Sequence, residues 1–509
     1  MNPVVRRSAS IKELSFGVVL VAAVLLGSLW GCLGFISEWA LIASGSPASV
    51  AHVWFQIIGL ISCISTAVAF AMALSRNHHW RKDAVIGLGL YLLLLWLTPR
   101  SFTYDTGLYH LPIITHLQQI GLEWNLGWLH SRYAFFNLPL YGQAAIARVA
   151  GSVALPSLNG LVLAGLLLFL LDQTRRQPRL IIPSLIVSGA LLIPSEATES
   201  FHSFNADFTL GCVFLMSTVL TLNSSVEHSP ERRAAFLLAA LMPAIKLSGV
   251  FLLPVFASAS IRRWGITQCT RELGKCAGLI ALIASTAGLF GWITTGYLAY
   301  PVASTGPLRS ESIAKENVVN EAKFSTTAWA RYAYSGQISS IKSDATPMEW
   351  LPQWSKSLNG KRMLSYLMLS AIVAVMSWHR SNKDSNLPVM LVANTGFWAA
   401  AILILPPDPR FYLGAILLTL YALGLELTNL IATNSLKEQK RLGAKFICAV
   451  ACMTTLTSLW RHSDVPRNAF PAATFENDAR VVTGAYRPLK KVQRAKNGTC
   501  WNLEAPCIP

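Results

Sequence analysis

Four short stretches carry residues able to do chemistry. Asp105 stands in SFTYDTGLYHLPIITHLQQIG, residues 101–121, directly after a long apolar run and just ahead of Tyr109 and His110. Asp207 opens an apolar run in NADFTLG. Lys246 falls inside another, AIKLSGVFLLP, and Arg410 opens a late one in DPRFYLG. A carboxylate can take the proton of an acceptor hydroxyl, and cations can hold a leaving group where negative charge develops. Arginine suits phosphate in particular, because its fork of N–H donors matches two oxygens at once. Arg132 is a further cation for such a ligand, and Tyr109 and His110 are candidates for substrate contacts.

Each residue also has a plain structural explanation. Asp105 could be a solvated acid at a membrane surface, and Asp207 could simply complement the dipole of the helix it opens. Arg410 could snorkel to the interface beside Asp408. Lys246 is the hardest to explain structurally, since a mid-membrane ammonium costs roughly 2.5–3.5 kcal/mol and normally lines a pathway or meets an anion.

The elements holding these residues are membrane helices. The chain has 509 residues, 53% of them hydrophobic and 13% charged, against roughly 25% charged in soluble domains. Its mean hydropathy is +0.45. The apolar runs are continuous rather than alternating, which excludes an outer-membrane barrel and predicts an all-α polytopic protein. The apolar stretch after the basic N-terminus is long enough to be retained as a first span. Further spans are predicted near 52–74, 83–99, 157–171, 180–194, 207–222, 274–298, 362–378, 387–405, 411–430 and 444–460, making about 11 in all. The formal charge of +17 sits in short scattered loops, which fits positive-inside topology and anionic lipid and disfavours nucleic acid.

Basic connectors around Arg6/Arg7/Lys12, Arg76/Arg81/Lys82, Arg175/Arg176/Arg179, Arg232/Arg233, Arg380/Lys383 and Lys437/Lys440/Arg441 are expected to be cytoplasmic. Residues 234–260 break the alternation, because Arg232/Arg233 and Arg262/Arg263 flank them on both sides. Two short half-helices with Lys246 near the tip resolve the conflict, and irregular backbone at that depth requires protein or a water-filled cavity around it. The N-terminus then lies inside, and 100–156, 195–206, 299–361, 406–410 and 461–509 lie outside. Asp105, Asp207 and Arg410 thus share one side of the membrane. Around Asp105, Pro112 and Gly121 punctuate a short helix, and Tyr109, Ile113, Leu117 and Ile120 can share one face, as in a helix lying at the interface.

Of nine cysteines, only Cys500 and Cys507 in the polar tail pair plausibly, as an oxidising exterior would allow, and no zinc spacing occurs. The expected divisions are an N-terminal two-helix extension over 1–82 and a core over 83–298 that includes loop 100–156 and the broken hairpin 234–260. A loop over 299–361, helices over 362–460 and an external tail over 461–509 complete them.

In order and common sidedness, the four motifs resemble the GT-C superfamily of integral-membrane glycosyltransferases, which use polyprenyl-phosphate sugars. The resemblance is closest to uncharacterised bacterial members with DxxLYH and DPRF patterns. It implies a bacterial inner-membrane enzyme with an external active site, a polyprenyl-phosphate sugar donor, and a glycan or lipid acceptor. Asp105 would be its base, with Asp207 as second acid and Lys246 and Arg410 on the lipid phosphate. Thr106 follows Asp105 where the family motif often has a second acid, so no definite cofactor is implied and a divalent metal stays open. Two other classes fit part of the pattern. An O-antigen-type polymerase or ligase would rely on the 299–361 loop and Arg331. A lipid-linked saccharide transporter would use the broken helix and Lys246, although no internal repeat is present.

Overall fold

The computed structural model describes residues 14–59, 78–97, 109–128, 131–150, 158–192, 204–223, 230–302, 345–380 and 387–431, with shorter stretches between 304 and 332 and between 475 and 508. From Phe16 to Ile431 every described element is helical: α1 (Phe16–Ala43), α2 (Ala48–Gly59), α3 (His78–Leu97), α4 (Leu111–Gln119), α5 (Leu138–Ala150), α6 (Leu158–Arg176), α7 (Ile181–Leu192), α8 (Ala206–Asn223), α9 (Pro230–Ile245), α10 (Leu253–Trp264), α11 (Ile266–Thr295), α12 (Pro347–Lys356), α13 (Leu358–Arg380), α14 (Leu387–Ile404) and α15 (Leu413–Ile431). In the tail, β1 (Phe475–Gly484) pairs antiparallel with β2 (Arg487–Ala495), which pairs with β3 (Cys507–Ile508). These strands are confined to the tail, and the rest of the described chain is all-α as predicted. Cys500 lies outside the described residues, and with it the Cys500–Cys507 pairing.

Among the described residues, six segments are long and apolar enough to cross a bilayer: Phe16–Ala43, Leu158–Arg176, Ala206–Asn223, Ile266–Thr295, Leu387–Ile404 and Pro409–Asn429. They make the chain a helical membrane protein. Several other predicted spans are helical without meeting that standard. α7 has 12 residues, or about 18 Å at 1.5 Å per residue, well short of the ~30 Å hydrocarbon core. α3 opens with Arg81, Lys82 and Asp83, and α13 with Lys361 and Arg362. The predicted span 444–460 lies outside the described residues, as does most of 52–74.

α8 is buried along nearly its whole length, and α6, α9, α10 and α15 pack around it. An apolar helix with no exposed face needs protein on every side, which makes α8 the axis of the core. α1 packs against α5 and α6, burying Val21, Leu25 and Phe35 completely, so it is built into this core.

The α8–α15 crossing is made by two glycines. A Cβ on Gly211 would lie 3.2 Å from the Gly414 nitrogen, and one on Gly414 would lie 3.0 Å from the Phe214 ring. Neither helix could approach so closely with larger residues there. Gly211→Leu should therefore lower stability by about 1–3 kcal/mol through overpacking, measured as a fall in the midpoint of thermal unfolding in detergent. A wild-type midpoint would show that the crossing has slack.

Candidate functional site

The helix broken around Lys246 is the centre of the site. α9 contains Pro243 and ends at Ile245, and Lys246 takes an extended backbone (φ −159°, ψ 140°). A tight turn over Leu247–Leu252 then leads to α10, which has a proline in its first turn. α9 has 16 residues and α10 has 12, so each is too short to span a bilayer alone. The turn folds back closely, since a Cβ on Gly249 would lie 2.5 Å from the Met242 carbonyl oxygen and 3.1 Å from Leu210.

Lys246 Nζ donates to both carboxylate oxygens of Asp207, each at 2.7 Å. The Asp207 side chain is 5% exposed and that of Lys246 28%. Asp207 begins the first turn of α8, where its own backbone N–H donates to Asn205 Oδ1 at 3.0 Å. Asn159 of α6 fixes this start from the other side. Its amide donates to the Asn205 carbonyl at 3.0 Å and its Oδ1 accepts from Thr209 at 2.6 Å. Asp207 thus satisfies the dipole explanation and an ion pair at once. Both its oxygens face an ammonium, which makes it the partner that fixes Lys246.

Arg410 joins the same group through an aromatic ring. Lys246 Nζ lies 4.0 Å from the centre of the Phe411 ring, and the Arg410 guanidinium lies 5.0 Å from it. A ring face attracts cations by about 0.5–2 kcal/mol, depending on exposure. Asp408 caps the turn Pro409–Tyr412, accepting the Arg410 backbone N–H at 3.0 Å, and its Oδ1 lies 3.7 Å from Arg410 Nε. Asn359 donates to the other Asp408 oxygen at 3.2 Å, and Trp354 Nε1 donates to the Pro407 carbonyl at 2.8 Å. Fully buried Trp350, Trp354, Trp398 and Tyr412 back this turn. The result is a half-exposed patch of two cations on one ring, with a buried acid beside each.

Tyr109, His110 and Arg132 form a second group. The Arg132 guanidinium stands 4.8 Å from the Tyr109 ring centre, and the Tyr109 and His110 rings meet edge-on at 4.2 Å. The Arg132 turn is pinned by Tyr141, which donates to the Tyr133 and Phe135 carbonyls at 3.0 and 3.2 Å, and by Tyr300, which donates to the Ser131 carbonyl at 2.9 Å. Burial pushes the Tyr133 phenol well above its ordinary range, so it stays protonated and supplies no base. Asp105 and its neighbours 101–108 lie outside the described residues. Among the described residues, no group of three or more His, Cys, Asp and Glu side chains is placed to hold a metal.

α4 forms as the punctuation predicts, over Leu111–Gln119 with Gly121 just beyond at φ +89°. Its setting differs from that of an interfacial helix. Ile113, Ile114 and Leu117 are fully buried and the helix packs on α5. A buried ion pair secures its end. Arg148 Nη1 donates to the Leu117 and Gln118 carbonyls at 3.0 and 2.6 Å, while Nη2 pairs with Glu38 of α1. Sequence reasoning missed Glu38 and Arg148, and met Phe411 only as the aromatic residue after Arg410 in DPRFYLG. An acid inside the first apolar run was the available signal for Glu38, because an ionisable residue there requires a partner.

The fold and this site define a helical membrane protein with a cation-lined centre at a broken helix. Residues 24–417 match the family described as Domain of unknown function (DUF8201), and the chain belongs to that family. The match runs from within α1 into α15 and so includes Asp105, Tyr109, His110, Arg132, Asp207, Lys246 and Arg410. No curated protein and no solved structure matches the chain.

Proposed function

We propose that this protein is a membrane glycosyltransferase of GT-C type, moving a sugar from a polyprenyl-phosphate donor to a glycan or lipid acceptor on the outer side of a bacterial inner membrane. The observation that carries the proposal is the pairing of Lys246 and Arg410 over the Phe411 ring, beside the break between α9 and α10. Two cations at the ends of apolar helices suit an anionic head group on a lipid tail, and the ring offers an apolar surface to the first isoprene units. The DxxLYH pattern, which sets Tyr109 and His110 directly before α4, supports the same reading. Asp105 is the proposed base, and Asp207 acts by orienting Lys246.

Lys246→Met tests the lipid-phosphate role. A charge-assisted hydrogen bond is worth about 1.5–3 kcal/mol, so affinity for a polyprenyl monophosphate in nanodiscs should fall about 10- to 100-fold. Equal binding by wild type and variant, measured by native mass spectrometry, would remove Lys246 from the site. Sugar transfer to an acceptor in membranes containing the protein, and its loss in a deletion strain, tests the reaction. Flux of an intact lipid-linked saccharide without transfer would instead favour a transporter.

A further inference from the structure

The two acids beside the two cations pose a problem for simple anion capture. A site built to grip phosphate gains from unopposed positive charge, yet Asp207 chelates Lys246 from 2.7 Å and Asp408 lies 3.7 Å from Arg410 Nε. Both acids are nearly buried, at 5% each, and each is held by a second neighbour, Asn205 at the Asp207 backbone and Asn359 at the Asp408 carboxylate. Neither is an incidental surface charge.

We propose that Asp207 and Asp408 set the charge selectivity of the lipid-phosphate site, offsetting the advantage that two bare cations would give the more highly charged phosphomonoester left after transfer over the singly charged phosphodiester of a loaded donor. This rests on the polyprenyl-phosphate reading above. In that reaction the bond between the sugar carbon and the phosphate oxygen breaks, and its electron pair leaves with the lipid phosphate. The acceptor oxygen bonds to the sugar carbon, and the hydroxyl proton passes to the base. The bound lipid therefore changes from a phosphodiester, with charge −1, to a phosphomonoester, with charge of about −1.5 to −2 near neutral pH. Lys246 and Arg410 without their acids would hold the spent lipid more tightly than the donor. Each nearby carboxylate repels the spent lipid more than the donor, because repulsion scales with ligand charge.

Asparagine keeps the shape of each acid and removes only its charge. Two probes avoid any dependence on the sugar: a polyprenyl monophosphate and its methyl ester, a phosphodiester of the same lipid. Their affinities are measured in nanodiscs at fixed pH and salt. Asp207→Asn and Asp408→Asn should each shift the affinity ratio toward the monophosphate, by about tenfold for an acid within a few ångströms of the phosphate. A variant whose affinity rises more for the monophosphate than for the methyl ester supports the proposal, whatever the absolute change in either. Ratios unchanged in both variants would overturn it while leaving the lipid-phosphate reading intact. Failure of wild type to bind either probe would overturn that reading and the selectivity with it. A ratio shifted toward the methyl ester would make the acids orienting groups only, and would also overturn the proposal.

Discussion

Asp105→Asn should reduce sugar transfer by about 10²- to 10⁴-fold, the usual contribution of a positioned general base, while leaving donor binding within about twofold of wild type. Asparagine has the size of aspartate and can still accept a hydrogen bond, but it cannot take the proton of the attacking hydroxyl. Donor affinity belongs to other groups in this scheme, to Lys246, Arg410 and the Phe411 ring. The expected signature is thus a loss in kcat without a matching rise in KM, as for an interaction made chiefly in the transition state. Membranes from the native cells supply donor and acceptor together, so transfer can be followed before the sugar is identified. Wild-type transfer by Asp105→Asn would remove Asp105 as the base. Lost transfer accompanied by lost donor binding would instead make it a donor-binding residue.

Much of the site's assembly was legible in the sequence, for a reason the structure makes physical. In each of the three motifs outside the Asp105 loop, a glycine follows the charged residue by about one helical turn: Gly211 after Asp207, Gly249 after Lys246 and Gly414 after Arg410. These glycines occupy the close contacts. Gly211 meets Gly414 across the α8–α15 crossing, and Gly249 folds against Met242 and Leu210. The charged residues one turn away are drawn together as a result. The motifs therefore encode the approach of their elements as well as the chemical groups.

Other features were less legible because they depend on contacts between distant segments. Charge parity located the break at Lys246, but it could not pair Lys246 with Asp207, which lies 39 residues earlier in the chain. The face pattern of α4 put Ile113 and Leu117 on one apolar face and pointed to a helix lying at the interface, because it could not distinguish lipid from protein as the apolar neighbour. Only the packing of α5, and the reach of Arg148 to the end of α4, assigns it to protein. Hydropathy alone also gives no guide to length. The apolar run at 180–194 becomes a 12-residue helix, α7, that packs on α15.

The Glu38–Arg148 pair should be an ionic contact on which stability depends strongly. The side chains are 2% and 5% exposed, so water screens neither charge, and removing one partner from such a pair costs about 3–5 kcal/mol. Arg148→Met should reach that range, because it also strips the Leu117 and Gln118 carbonyls of their donor at the end of α4. Glu38→Leu should be similarly damaging, leaving a buried guanidinium without its carboxylate. The double variant removes both charges. It should be more stable than Arg148→Met alone, though still below wild type, since the α4 carbonyls remain uncapped. Thermal unfolding in detergent measures all three, and hydrogen exchange over residues 111–121 locates the loss. If both single variants unfold within about 0.5 kcal/mol of wild type, the pair contributes little and α4 is held by its apolar face alone. If the singles are damaged but exchange rises elsewhere, the pair serves α1 more than α4. Loosening of α4 should in turn reduce transfer, because this helix begins directly after Tyr109 and His110 and only a few residues beyond Asp105.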